Sequence, residues 1–258
     1  MTNSSFGTLL YGEHSLRLAV LLALAALALP WRPAAADSFT PAQRDEIVRI
    51  VRDALKTDPS ILRDAVMALQ ADDATHQASA TRDAIGAVRD KLVDPQDPVA
   101  GNPQASTTIV EFFDTRCPYC RRMLPTFASL LQSDPNLKLV YKDWPILGPA
   151  SQIESRALLA AQKQGGYLRM HDAIMTGPPL ANGDAARALA DRLGLDGAQL
   201  LRDMDDPAIK TRLDNTMALA RQLGLQGTPA IIIGQKLVDG AVELDELKRD
   251  VAEARAGK

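Results

Sequence analysis

The chain has 258 residues, 46% of them hydrophobic and 24% charged, a composition that fits an ordinary folded protein of one or two domains and excludes a disordered or collagen-like chain. A net charge of −3, from 29 basic and 32 acidic residues, gives no electrostatic reason to expect a nucleic-acid partner. With only 2 cysteines, a disulfide-dense scaffold is excluded, and so is a four-ligand zinc site built from cysteine alone.

Leu18 to Pro30 is an apolar run of 13 residues, shorter than the roughly 20 that a helix needs to cross a bilayer. Arg17 precedes it, and Ala34-x-Ala36 follows with the small-residue pattern of a signal-peptidase site. Residues 1–36 therefore read as a cleaved secretory signal peptide, with a buried core helix or an uncleaved anchor as the alternatives. Secretion would place the mature chain in a compartment where disulfides persist.

From Thr40 the chain reads as helix, with Thr40 as N-cap, Pro41 at the first helical position and Gln43 completing a capping box. Ile47, Ile50, Val51, Ala54 and Leu55 form one apolar stripe. Asp58-Pro59 repeats the start signal, and Ile61, Leu62, Ala65, Val66 and Leu69 continue the pattern. The alanine-rich stretch beyond leaves open whether one helix or two follow, before a weak resumption at Ile85, Val88 and Leu92. The proline- and turn-rich residues 94–103 read as a linker, which sets off residues 37–93 as an N-terminal helical segment. Its stripes need a partner, either the following domain or copies of the same segment.

Residues 104–258 read as a second domain. Thr107 to Phe113 is a β-branched and aromatic strand that runs directly into Cys117-Pro118-Tyr119-Cys120 and a helix. Leu137 to Trp144 is a second strand, parallel to the first if the helix is a crossover. A long, mostly helical block of about 149–224 follows, then Gly227-Thr228-Pro229 leading into the strand Ala230–Ile233, a short partner at Lys236–Val238, and a closing helix from Glu243.

A Cys-x-x-Cys pair that opens a helix carries redox chemistry for a physical reason. The first cysteine occupies the helix N-terminus, where unpaired amides and the macrodipole favour a thiolate, and the second lies one turn on, placed to resolve a mixed disulfide. Arg116, Arg121 and Arg122 add positive charge nearby. A structural staple is the plainer alternative, but closing so small a loop is worth only about 2 kcal/mol. The reduced Cys117 and Cys120 could also hold Cu(I), a soft-ligand metal. The three histidines, His14, His76 and His171, have no spacing that joins them to the cysteines.

Phe112 to Cys120, Tyr141 to Gly148, and Gly227-Thr228-Pro229-Ala230 resemble DsbA-family thiol–disulfide oxidoreductases, and among them the periplasmic ScsC-like group, named for suppression of copper sensitivity. The resemblance spans roughly residues 101–254. It implies an α/β thioredoxin fold with a helical insertion, preceded here by the N-terminal α-helical segment. It also implies that Cys117 is the exposed nucleophile, Cys120 the buried partner, and Thr228-Pro229 a cis-proline loop beside them. Pro118, Tyr119 and Thr228 would contact substrate, and Glu111 would be a buried acid assisting proton transfer from Cys120.

No cofactor is implied. The implied partners are cysteine-containing secreted proteins and a DsbB- or DsbD-like membrane partner, in the periplasm, with homo-oligomerisation through residues 37–93. Tyr119 stands where the best-known oxidases of the family have histidine, which tilts the expectation toward isomerase or reductase over oxidase. Two other readings compete: a copper-tolerance protein that binds Cu(I) through Cys117 and Cys120, and a purely structural oligomer.

Overall fold

The computed structural model describes residues 39–257, so the expected signal peptide at 1–36 lies outside the described residues. The chain divides into two compact units, up to Ala68 and from Leu69. Among the described residues no helix is long and apolar enough to cross a membrane.

Helix α1 (Pro41–Thr57) starts on the anticipated capping box: the Gln43 amide donates to Thr40 Oγ1 at 3.3 Å, and the Thr40 amide donates to the Gln43 side chain at 2.9 Å. Those two bonds satisfy amides that a helix start leaves without intrahelical partners. Helix α2 (Ser60–Ala87) is a single helix of 28 residues, so the alanine-rich stretch does not divide it. Asp58 leads it in, accepting from the Ser60 amide at 3.0 Å. No residue of α1 is buried, and Ile47, Ile50, Val51 and Leu55 stand between 37% and 57% exposed.

From Ile85 the chain belongs to the core of the larger unit. Ile85, Val88 and Leu92, the last in the short α3 (Arg89–Leu92), are buried together with Val110, Phe112, Val140 and Ile232. The linker expected at 94–103 is corrected accordingly. The Asp94 amide donates to the Asp97 carboxylate at 2.8 Å, closing a turn that delivers the chain to strand β1 (Val99–Gly101) at the sheet edge. Pro95 lies within this turn and Pro103 in the Asn102–Ala105 turn after β1, since proline fixes the backbone where a chain must reverse tightly.

Among the described residues the sheet has five strands. After β1 come β2 (Thr107–Phe113), β3 (Leu137–Asp143), β4 (Ala230–Ile233) and β5 (Lys236–Asp239), in the spatial order β1-β3-β2-β4-β5. The pair β2–β3 is parallel, joined through the crossover helix α4 (Pro118–Ser133), and all other pairs are antiparallel. Helices α5 (Pro149–Gln162), α6 (Tyr167–Thr176), α7 (Gly183–Arg192), α8 (Gly197–Asp203) and α9 (Pro207–Gln222) lie between β3 and β4, and α10 (Leu244–Arg255) closes the fold.

Side chains alternate across a strand, so the sheet has two buried faces. Ile109, Phe113, Leu139, Tyr141 and Ile231 pack on one face with Met123 and Phe127 of α4 and Leu247 of α10. Val110, Phe112, Val140 and Ile232 pack on the other, with the end of α2, α3, and Leu219 and Ala220 of α9.

Lys142 is buried and pairs with the equally buried Asp97 at 2.6 Å, while Arg212 of α9 reaches the same carboxylate at 3.3 Å. This pair ties the turn before β1 to the C-terminal end of β3. Removing one member of a buried pair leaves the other charge uncompensated, so Asp97→Ala is expected to destabilise the chain by about 3 kcal/mol. A shift of the urea midpoint at unchanged slope checks this.

Candidate active site

Strand β2 ends at Phe113, and α4 begins at Pro118, leaving a short connection that holds the redox motif. Cys117 is the N-cap of α4 with an extended backbone, φ −74° and ψ 120°, and Pro118 takes a first-turn position where no amide is needed. The connection is held by Asp114, which is fully buried. Its Oδ1 accepts the Arg116 amide at 2.8 Å, and its Oδ2 accepts the amides of Ile146 and Leu147 at 2.8 and 2.9 Å. The Cys117 amide donates to the Asp114 carbonyl at 3.0 Å. The turn that presents the cysteines is thereby fixed to the loop that follows β3.

Both cysteines are free thiols, with Cys120 1% and Cys117 4% exposed. Burial of Cys117 corrects the expectation of an exposed nucleophile. Its Sγ donates to the Thr228 carbonyl at 3.2 Å, so the loop that precedes β4 lies against the sulfur. The Thr228-Pro229 peptide is cis. Pro118 and Tyr119, between the cysteines, are exposed, and Thr228 is half-buried.

Glu111 lies on β2 in register with Tyr141 of β3 and Ile231 of β4. It is 2% exposed, and its Oε1 has no hydrogen-bond partner among the described residues. Burial first, and the charge that Cys117 can carry second, push its carboxyl up to about 8. The same physics acts on Cys120, whose thiol is held far above its ordinary range by burial and then by Glu111, against the opposing hydrogen bonds from the Asp114 backbone and the Thr228 side chain. Glu111, Cys117, Cys120 and Thr228 therefore form one coupled cluster, and Pro229 immediately precedes β4 beside it.

The arginines have separate uses. Arg121 donates through Nε to the Thr115 carbonyl at 2.8 Å and through Nη1 to the Gly177 carbonyl at 2.9 Å, joining the motif to the loop after α6. Arg116 lies 3.5 Å from Glu154, a fully buried residue of α5 whose Oε1 also accepts the Leu180 amide at 2.8 Å. Arg122 stacks on Tyr119, its guanidinium carbon 4.8 Å from the ring centroid.

Behind Glu111 is an aromatic cluster. His171 of α6 packs against Tyr141, Phe113 and Tyr167, with ring centroids 4.5, 5.0 and 6.0 Å away. Burial pushes its imidazole down to about 4, which leaves it neutral at physiological pH. Tyr167 donates to the buried Asp143 at 2.9 Å, and burial raises that carboxyl to about 7 despite the hydrogen bond.

Sequence reasoning did not single out Asp114, Tyr141 or Glu154. Only Asp114 carried a local signal, an aspartate two residues ahead of the amide it bonds, which is the mark of an Asx turn.

Residues 108–252 match the DSBA-like thioredoxin domain, and residues 43–75 match the copper resistance protein ScsC N-terminal domain. A thioredoxin-like oxidoreductase from Silicibacter pomeroyi DSS-3 is 45% identical with a TM-score of 0.61, the alignment covering 63% of this chain and 94% of that one. ScsC of Proteus mirabilis, in a transitional conformation, is 30% identical with a TM-score of 0.62, covering 86% and 99%. The Na(+)/H(+) antiporter NhaA 1 of Salinispora arenicola is 29% identical over 168 residues, 64% of this chain but 26% of the antiporter, so the chain spans about a quarter of the length of that curated relative. The fold is the thioredoxin fold with a helical insertion and a preceding helical segment, as expected. Because the first match covers more than half of the chain and encloses both cysteines, the chain belongs to the family of DSBA-like thioredoxin domains.

Proposed function

We propose that the protein is a periplasmic thiol–disulfide oxidoreductase that exchanges disulfides with cysteine-containing secreted proteins. The observation that carries this reading is the coupled cluster itself: a cysteine at a helix N-terminus, a second one turn on, and a desolvated carboxyl beside them. In the oxidised form a client thiolate attacks Cys117 Sγ, forming a mixed disulfide and expelling Cys120 as thiolate, which takes the proton held by Glu111. A second client thiolate then attacks the client sulfur of that mixed disulfide and releases Cys117, leaving the client oxidised and the protein reduced. The reverse sequence reduces a client.

Isomerase or reductase action is favoured over dedicated oxidation. Two features support this preference: Tyr119 in place of a histidine, and the exposed apolar stripe of α1, which suits self-association into an assembly with several active sites. A membrane partner of DsbB or DsbD type would reset the redox state. A second reading, Cu(I) binding by the reduced cysteines, draws on the copper-resistance name of the family matched at residues 43–75. Stoichiometric copper uptake by the reduced chain, without turnover on disulfides, would favour it.

Replacement of Cys117 by serine is expected to abolish exchange, whereas Cys120→Ala should trap clients as mixed disulfides visible on non-reducing gels. Retained turnover in the Cys117 variant would overturn the mechanism.

Glu111 gives a pH test. Its folded-state value of about 8 lies above the ordinary 4.5, so between those two pH values the folded chain holds a proton that the unfolded chain has lost. Stability should therefore fall as pH rises through that window and level off above it. Glu111→Gln should flatten that slope, raise stability at neutral pH and slow exchange, readings obtained from urea midpoints across pH and from client oxidation rates.

Deleting residues 39–68 should lower the oligomeric state measured by light scattering, while exchange with a small dithiol persists.

A further inference from the structure

We propose that Arg122, seated on the Tyr119 ring, makes the mouth of the redox site selective for cysteine segments flanked by carboxylates. This deepens the exchange reading above and rests on it. Three acidic side chains that flank or contact the motif are buried. Asp114 is fully buried on three amides, Glu154 is fully buried on Arg116 and the Leu180 amide, and Glu111 is 2% exposed with burial keeping it protonated at neutral pH.

The nearby cations reach closer to the surface than these carboxyls do. Arg121 is committed to the Thr115 and Gly177 carbonyls, which use its hydrogen bonds but leave its charge in place. Arg116 meets Glu154 at the long distance of 3.5 Å, with 31% of its side chain exposed. Arg122 is exposed, and among the described residues it makes no ion pair; its partner is the face of Tyr119, itself 52% exposed.

The N-terminus of α4 adds partial positive charge at the same place. A chain of net charge −3 thus concentrates three arginines, the exposed Arg122 among them, within five residues of Cys117. Rim charges of this kind act on encounter rate and partner choice more than on final affinity. The stacking on Tyr119 matters because it holds a long, flexible side chain beside the site before any client arrives, lowering the ordering cost of using it. The recognised chemistry is a peptide carboxylate within one or two residues of the attacking cysteine.

The test uses the oxidised full chain and its Arg122→Gln variant, mixed with dicysteine peptides whose cysteines are flanked by glutamate, glutamine or lysine. Both proteins meet the same peptides, so the acidity of the peptide thiols cancels in the comparison. At low salt the ratio of glutamate-peptide to lysine-peptide oxidation rates should be about tenfold larger for the unaltered chain than for the variant. The two ratios should converge near 1 M salt, where the screening length is about 3 Å. The glutamine peptide should react equally with both proteins, showing that exchange itself is intact. Equal ratios in the two proteins at low salt would overturn the selectivity while leaving exchange standing. Failure of both proteins to oxidise any of the three peptides would overturn exchange, and the selectivity with it.

Discussion

Three backbone amides from two loops converge on the carboxylate of Asp114, and the site is built outward from that point. A carboxylate has room for several donors, and burying it away from water without them would be costly, so the two loops cannot part without exposing an unsatisfied charge. The same residue receives the Cys117 amide on its carbonyl. The position of Cys117 at the head of α4, the path of the chain after β3 and the start of α5 are therefore parts of one constraint. Strand β2 delivers Asp114 to this place because its neighbours Phe112 and Phe113 are buried on opposite faces of the sheet.

Within that frame, the electrostatics of the redox centre come mainly from burial. The sheet register sets Glu111 opposite Tyr141 and Ile231, neither of which brings a cation, and His171 behind them stays neutral. A carboxyl in such surroundings keeps its proton, and a thiol beside it resists giving one up. The guanidinium groups supplied by the same short stretch of sequence go elsewhere, to carbonyls, to Glu154 and to an aromatic face. The protein thus separates two tasks, proton holding in a dry interior and positive potential on the rim.

How much of this can be read from the sequence depends on how far apart the partners lie. The capping box at Thr40 and the placement of Cys117 at a strand-to-helix junction involve neighbours in the chain, and both are legible. The parallel pairing of β2 and β3 follows from one crossover helix and is legible too. The buried state of Cys117 is not, because the carbonyl that lies against its sulfur belongs to Thr228, on a loop more than a hundred residues later. Nor could Asp114 be matched to Ile146 and Leu147, or Arg116 to Glu154, since neither partner carries a distinguishing pattern. Strand β1 escaped because three residues in a proline-rich stretch are too few to show alternation, and the same prolines imitate a spacer. Periodicity could identify the apolar stripe of α1 but not what covers it.

The edges of the sheet have a consequence for the proposed exchange with other polypeptides. An open strand edge offers rows of free amides and carbonyls on which any extended polypeptide can grow, the first step toward aggregation. Here one edge is β1, three residues long, and the other is β5, four residues long, with Lys236 anchored to Asp250 and Glu253 of α10. Neither gives a visiting chain enough length to zip against. A client could then be gripped through its sulfur and released when the bond is exchanged, with little backbone pairing to hold it afterwards, so turnover would be protected by the brevity of the two outermost strands.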